Sequence, residues 1–286
     1  MVKKSLATPI IFLLFFALIS CEREAKNIIL PEFRQKLVIT SFISPSDSFL
    51  SVSVSINNRI YGDLGQAEDP GNLKAYISDG IREYELAKGV EGFKLSSDEM
   101  QVVPGQRYGL RVTGDKGLRA EAFCTVPVKR EFFPEADTAK RVYYDIYQGS
   151  MNLLVTRVFL ADFPAEDNFY RFGCKMILYN PEYYYNPYIS RISGTASDFA
   201  DDKGKDGERF MANSYIIPYP KYIDSAFLVF YYQNTDKGYY DYHKSLMKYT
   251  GGDNPFTEPS PLFSNITGGL GIFASYTLDS LVIRLR

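Results

Sequence analysis

Phe49-Leu-Ser-Val-Ser-Val-Ser-Ile56 places Val52, Val54 and Ile56 on one side of the chain and Ser51, Ser53 and Ser55 on the other. A period of two over eight residues fits a strand with one buried and one wetted face, and it fits no helix. The neighbouring stretches extend the pattern. Lys36-Leu-Val-Ile-Thr-Ser-Phe-Ile-Ser44 is rich in β-branched residues and stops at Pro45. Further strands are expected at 73–78, 81–86, 107–113 and 118–126, separated by Asp79-Gly80, Pro104-Gly105 and Gly114-Asp115. Short strands at that spacing predict an antiparallel β-sandwich over 36–127. Pro127 closes the last of them, because proline cannot donate to a ladder.

Residues 128–286 read as a second antiparallel β-rich domain, its entry marked by the polar, proline-containing stretch that runs to Lys140. Strands are expected at 141–147, 152–160, 168–179 and 226–233, where β-branched and aromatic residues dominate. Gly238–Tyr249 departs from this. Tyr239, Tyr242, Leu246 and Tyr249 recur at three and four residues, which predicts one short amphipathic helix stopped by Gly251-Gly252. The fold class is therefore mostly β, a sandwich followed by a β-rich domain with one short helix.

The amino end carries an address. Lys3 and Lys4 precede the apolar run Ile10–Ile19, followed at once by Ser20 and Cys21. That run is half the roughly 20 residues a membrane-spanning helix needs, so 1–20 reads as a removable signal peptide. Leu18-Ile19-Ser20-Cys21 resembles the lipobox of bacterial lipoproteins, which implies lipidation at Cys21 and a membrane anchor through several acyl chains. Residues 21–35 would then be a lipidated tether. Cleavage removes 20 of the 286 residues, leaving 266, and takes the formal net charge from −2 to −4. Charges are mixed along the chain, with no basic block of the kind that marks a nucleic-acid partner. With Cys21 committed to lipid, Cys124 and Cys174 remain, each inside an apolar strand-like run; a disulfide and two free thiols are both open. No spacing supports a metal site, and no cofactor motif is present.

The carboxyl end carries the most specific resemblance. Tyr242-His-Lys-Ser-Leu246, Asn254-Pro-Phe-Thr-Glu-Pro259 and Ser264-Asn-Ile-Thr-Gly-Gly-Leu-Gly-Ile-Phe273 are similar to the closing block of Bacteroidota outer-membrane lipoproteins classed as domain of unknown function 4249. The lipobox, Leu37-Val-Ile-Thr40 and the stretch from Ala161-Asp162-Phe163 to Tyr170 extend the resemblance. It implies a non-enzymatic accessory or ligand-binding partner of a TonB-dependent transporter, and it carries over no catalytic residue.

Within that block Asn254, Pro255, Phe256, Glu258, Pro259, Ser264, Asn265, Gly268, Gly269, Gly271 and Phe273 are the residues singled out. Pro255, Pro259 and Pro261 favour an extended strap anchored by Phe256, Leu262, Phe263 and Ile266. The glycines allow a tight turn or close backbone approach before a strand 270–276; no P-loop Lys-Ser/Thr follows them.

Other motifs point elsewhere. Tyr183-Tyr-Tyr185 with Tyr188, bracketed by Pro181 and Pro187, form a ring-rich loop that either stacks on a ligand or partner or packs on strands. Asp202-Lys-Gly-Lys-Asp-Gly207 has spaced carboxylates but Asn213 at the twelfth position, so it reads as a solvated turn rather than a calcium loop. His243 is the only histidine, and no Gly-x-Ser-x-Gly elbow accompanies it. The alternative functions are a stand-alone surface glycan- or peptide-binding lipoprotein and, behind it, an exported hydrolase. Glu22-Arg23-Glu24, an acidic stretch interrupted by a base, tilts the expected address to the cell surface over the periplasmic face.

Overall fold

The computed structural model describes residues 33–58, 70–130, 135–145, 149–179, 188–192, 199–218, 225–250 and 261–284. The first strands follow the sequence closely. Strand β1 (Leu37–Ile43) and β2 (Phe49–Ile56) pair antiparallel, with Ser51, Ser53 and Ser55 exposed, Leu50 and Val52 buried, and Val54 and Ile56 packed at the rim. Strands β3 (Lys74–Ser78), β4 (Glu83–Glu85), β7 (Arg107–Thr113) and β8 (Arg119–Thr125) make a sheet in the order β4-β3-β7-β8. Two short strands were not anticipated, β5 (Ala87–Gly89) and β6 (Gly92–Ser96); they extend the β1-β2 sheet. The two sheets close on one core: Leu37, Ile39, Val52 and Phe93 on one side, Ala75, Ile77, Leu110 and Val112 on the other.

The later strands are longer. Strand β9 (Glu135–Asp145) forms a hairpin with β10 (Gly149–Ala161), and β14 (Arg209–Pro218) completes a three-stranded sheet, β14-β10-β9. Strands β11 (Phe169–Tyr179), β12 (Tyr188–Ile192), β13 (Phe199–Asp201) and β15 (Ser225–Thr235) are antiparallel neighbours, with β11 central. Val158 and Leu160 of β10 pack with Tyr170, Phe172, Phe230 and Tyr232 of β11 and β15 in a second core. Helix α1 (Lys237–Thr250) lies where the three- and four-residue spacing predicted it.

Strand β16 (Leu270–Arg284) joins the whole. At 15 residues it is twice the expected length. Its first part, Leu270–Ser275, pairs parallel with β1, and its second, Tyr276–Arg284, pairs antiparallel with β15. One nine-stranded sheet therefore runs β12-β11-β15-β16-β1-β2-β6-β5, with β13 added beside β11. This strand crosses the expected boundary near residue 127: from Gln35 on, the described elements fall in one compact unit. The polar stretch up to Lys140, expected to mark the domain boundary, is also partly strand, since β9 begins at Glu135.

Parity along β16 assigns its faces. Phe273 points into the first core, and Leu281 and Ile283 pack on the second, whereas Ile272, Ala274 and Tyr276 meet α1. Cys124 and Cys174 are buried, one in each of the two cores, and are not joined in a disulfide, which resolves the alternative left open by the sequence.

Candidate functional site

The closing block clasps the sandwich from outside. Ile266 is buried in the first core, and Thr267 makes a two-way backbone bridge to Glu121 of β8 at 2.7 and 2.9 Å. Gly268 then turns the chain with φ +77°, facing the Arg119 carbonyl, and a Cβ on Gly269 would stand 2.7 Å from the Leu37 carbonyl oxygen. Gly271, at φ +107°, lies against the Ile39 carbonyl so closely that a Cβ would collide with it. Only glycine suits such a left-handed position at this range of approach. These three positions lead the strap from β8 into register with β1.

Along Leu270–Ser275, β16 has β1 on one side, while its pairing to β15 begins only at Tyr276. Side chains fill the gap. Asn265 Nδ2 donates to the Phe273 carbonyl at 2.7 Å, and Phe273 N–H donates to Asn265 Oδ1 at 3.0 Å, as a neighbouring strand would. Ser275 N–H donates to Asp236 Oδ2 at 2.7 Å, and Asp236 N–H donates to the Ser275 carbonyl at 3.0 Å. Ser264 Oγ accepts from Ile266 N–H, and Ser245 Oγ of α1 accepts from Phe263 N–H at 2.9 Å. Phe273 is fully buried, Phe263 is half-buried beside α1, and Leu262, expected as an anchor, is 42% exposed. Asn265, Gly268, Gly269, Gly271 and Phe273 are thus committed to joining strands, and Ser264 Oγ holds the local turn at Ile266.

Asp236 also caps the helix. Its Oδ1 accepts from Tyr239 N–H at 2.7 Å, the arrangement that satisfies an otherwise orphaned donor in the first turn. Burial pushes its carboxyl up from 3.8 to about 6, against the pull of the donors that stabilise its charge. Ser275 Oγ lies 2.8 Å from Asp236 Oδ2 and 2.9 Å from the Thr125 carbonyl, so the helix cap, β16 and β8 meet at one hydroxyl.

Behind the cap, α1 buries a polar-edged aromatic cluster. Phe42 of β1, Phe199 of β13, and Tyr239, Tyr240 and Tyr242 of α1 surround His243 and Arg171. His243 Nδ1 sits 2.9 Å from the Tyr239 carbonyl, which only accepts, so Nδ1 carries the proton and Nε2 offers its lone pair. Arg171 Nη1 donates to that Nε2 at 3.3 Å and also to Tyr239 Oη, which in turn donates to Gln233 Oε1 at 3.3 Å. Burial, ahead of the Arg171 charge, pushes the imidazole down to about 4, so it is neutral at pH 7. In the sequence His243 stands out only as the single histidine, lying within the expected helix. Its arginine partner lies 72 positions away, beyond any local signal.

A third cluster sits at the β10–β11 loop. Ligand oxygens of Asp162, Asp202 and Asp206 all lie within 4.8 Å of one another. Each carboxylate already accepts a hydrogen bond: Asp162 from Tyr170 Oη at 2.6 Å and Gly207 N–H at 2.9 Å, Asp202 from Asn168 N–H, and Asp206 from Ala165 N–H. Oxygen donors of this kind suit a hard cation. The same bonds also account for the turn by themselves. Asp162 comes from 40 residues upstream of Asp202, so the spacing of the 202–207 loop alone did not reveal the trio.

Of the other sequence-derived sites, Cys21, Tyr183, Tyr184, Tyr185, Asn254, Pro255, Phe256, Glu258 and Pro259 lie outside the described residues. Tyr188 opens β12, its backbone paired with Leu178.

A family model described as "Domain of unknown function (DUF4249)" matches residues 24–281. The chain belongs to this family. A search of curated proteins finds no match. Among solved structures, "Biofilm associated protein - B domain" is similar at 5% identity, over 86% of this chain and 85% of that one, with a TM-score of 0.18. At that score the likeness carries no statement about this DUF4249 chain.

Proposed function

We propose that this DUF4249 chain is a bacterial outer-membrane lipoprotein, held by acyl chains on Cys21, that serves as a non-enzymatic accessory or ligand-binding partner of a TonB-dependent transporter. The observation that carries the reading is the lipobox Leu18-Ile19-Ser20-Cys21, placed just before a family match that begins at residue 24. Two further points support it. Among the described residues, no helix is long and apolar enough to cross a membrane, so a lipid on Cys21 would supply the attachment. Within the described part of the closing block, Asn265 spends its amide on joining strands, and His243 spends both ring nitrogens on Tyr239 and Arg171, which leaves neither nitrogen positioned as a general base.

Two measurements test this. Cys21→Ser should abolish fatty-acid labelling and leave an uncleaved precursor or a soluble form; label that persists in the variant overturns the anchor. Tagged full-length protein, recovered from native membranes in mild detergent, should bring a transporter barrel with it. Recovery of labelled protein with no barrel refutes the partnership and leaves the anchor standing.

A further inference from the structure

Arg171 is a half-buried cation without an acidic partner among the described residues. Its guanidinium carbon stands 5.3 Å from the centroid of the Phe199 ring and 5.6 Å from that of Tyr239, so ring faces flank the charge. Of its five N–H donors only those on Nη1 are used, toward Tyr239 Oη and His243 Nε2. The carboxylates around it are engaged elsewhere. Asp236 holds the helix cap and Ser275, Asp201 accepts from Tyr240 Oη at 2.9 Å, and Asp47 faces Tyr276 Oη at 3.5 Å. Among the described residues, the Nε–Nη2 edge therefore presents two parallel donors with no protein acceptor.

The geometry points to a binding site for a ligand carboxylate, its two oxygens accepting from Arg171 Nε–H and Nη2–H between the rings of Phe199 and Tyr239. Arginine's planar fork matches a carboxylate with two parallel hydrogen bonds, and low-dielectric walls strengthen such a pair. The flanking rings favour a flat anion over a tetrahedral one. A phosphate would press its further oxygens onto the ring faces, which are themselves the negative part of the aromatic quadrupole. Tyr239 and His243 act as positioning residues: both accept from Nη1, and that fixes the guanidinium and leaves the opposite edge for the ligand. This site goes beyond the transporter reading and does not depend on it.

The single histidine supplies the readout. With the purified mature protein isotopically labelled at histidine, the His243 ring resonances are followed during titration at constant ionic strength with sodium acetate, with tetra-alanine bearing a free carboxyl end, and with tetra-alanine amide. Saturable shifts are expected for acetate and the free peptide and none for the amide, and Arg171→Lys, which keeps the charge but loses the fork, should weaken binding about tenfold or more. Equal responses to acid and amide, no saturable shift at all, or unchanged affinity in a folded Arg171→Lys protein would each overturn the site. If Arg171→Lys does not fold, the acid-against-amide comparison in the unaltered protein decides alone.

Discussion

The two faces of β16 are filled by opposite means. On one, Phe273 and then Leu281 and Ile283 enter apolar cores covered by smaller sheets. On the other, Ile272, Ala274 and Tyr276 meet α1, whose own packing brings a capping carboxylate, an arginine and an imidazole against the rings. The first face is held by transfer of apolar area from water, which is nondirectional and insensitive to pH. The second is held by directed hydrogen bonds and partly buried ionisable groups, so its strength depends on protonation state. One strand thus carries a pH-indifferent seam and a pH-sensitive seam, and substitutions should separate them.

The largest effect is expected on the apolar face. Phe273→Ala removes a fully buried ring and should cost about 3 to 5 kcal/mol, a large share of the roughly 5 to 15 that holds a domain together. Gly271→Ala should be comparably damaging, because its Cβ meets the Ile39 carbonyl at a left-handed φ. Denaturant unfolding at pH 4 and pH 7 should show similar losses for Phe273→Ala at both; a loss confined to one pH would contradict the division between the faces.

Next comes the cap. Asp236→Ala removes the acceptor of Tyr239 N–H and of Ser275 N–H, and about 1 kcal/mol for the cap plus about 1 to 3 for a stranded buried donor predicts a loss of about 2 to 4 at acid pH. The loss should be smaller at pH 7. Because the folded carboxyl titrates near 6 rather than 3.8, the native state holds its proton more tightly than the unfolded chain. Its contribution is complete below 3.8 and declines as pH rises through about 6. A variant whose deficit grows from pH 4 to pH 7 would reverse the sign.

The smallest expected effect is a slope. His243 titrates near 4 when folded and near 6.5 when free, so its contribution is present above 6.5 and lost as pH falls through about 4. Over the shared window the imidazole and the Asp236 carboxyl work in opposite directions, which flattens the dependence in the unaltered protein. His243→Gln should leave the carboxyl unopposed, so that stability falls more steeply from pH 4 to pH 6.5 than in the parent. Parallel stability curves for the two proteins would remove His243 from the titrating set.

Legibility followed exposure. Strands β2 and β7 were read residue for residue, because each buries one face and alternation records that burial. The start of strand β9 reads in sequence as part of a domain boundary: Glu135–Lys140 alternates nothing, since Glu135, Ala136, Asp137, Thr138 and Lys140 are all exposed on an edge strand. Strands β5 and β6 were missed because Gly89 and Gly92 bracket a tight connection that looks like loop. The helix was visible because its tyrosines recur at its own period. In the candidate site only the helix tyrosines Tyr239 and Tyr242 are visible, by their period; Phe199 and Arg171 are not, since Arg171 reads in sequence as one more polar residue on a strand.

The sequence by itself determined what depends on local pattern: the β class, the one helix among the described residues, and the glycine turn that leads the closing block into a final strand. Those signals are written within a few residues, by alternation, periodicity and the freedom of glycine. Tertiary structure alone decided that β16 changes partner at Tyr276, that Asn265 and Asp236 stand in for a missing strand, and that Arg171 comes to lie between Phe199 and Tyr239. Each of these joins residues through space, where the deciding quantity is which hydrogen-bonding groups would otherwise be buried unpaired. No local window contains that quantity, because it belongs to the packed sheet as a whole.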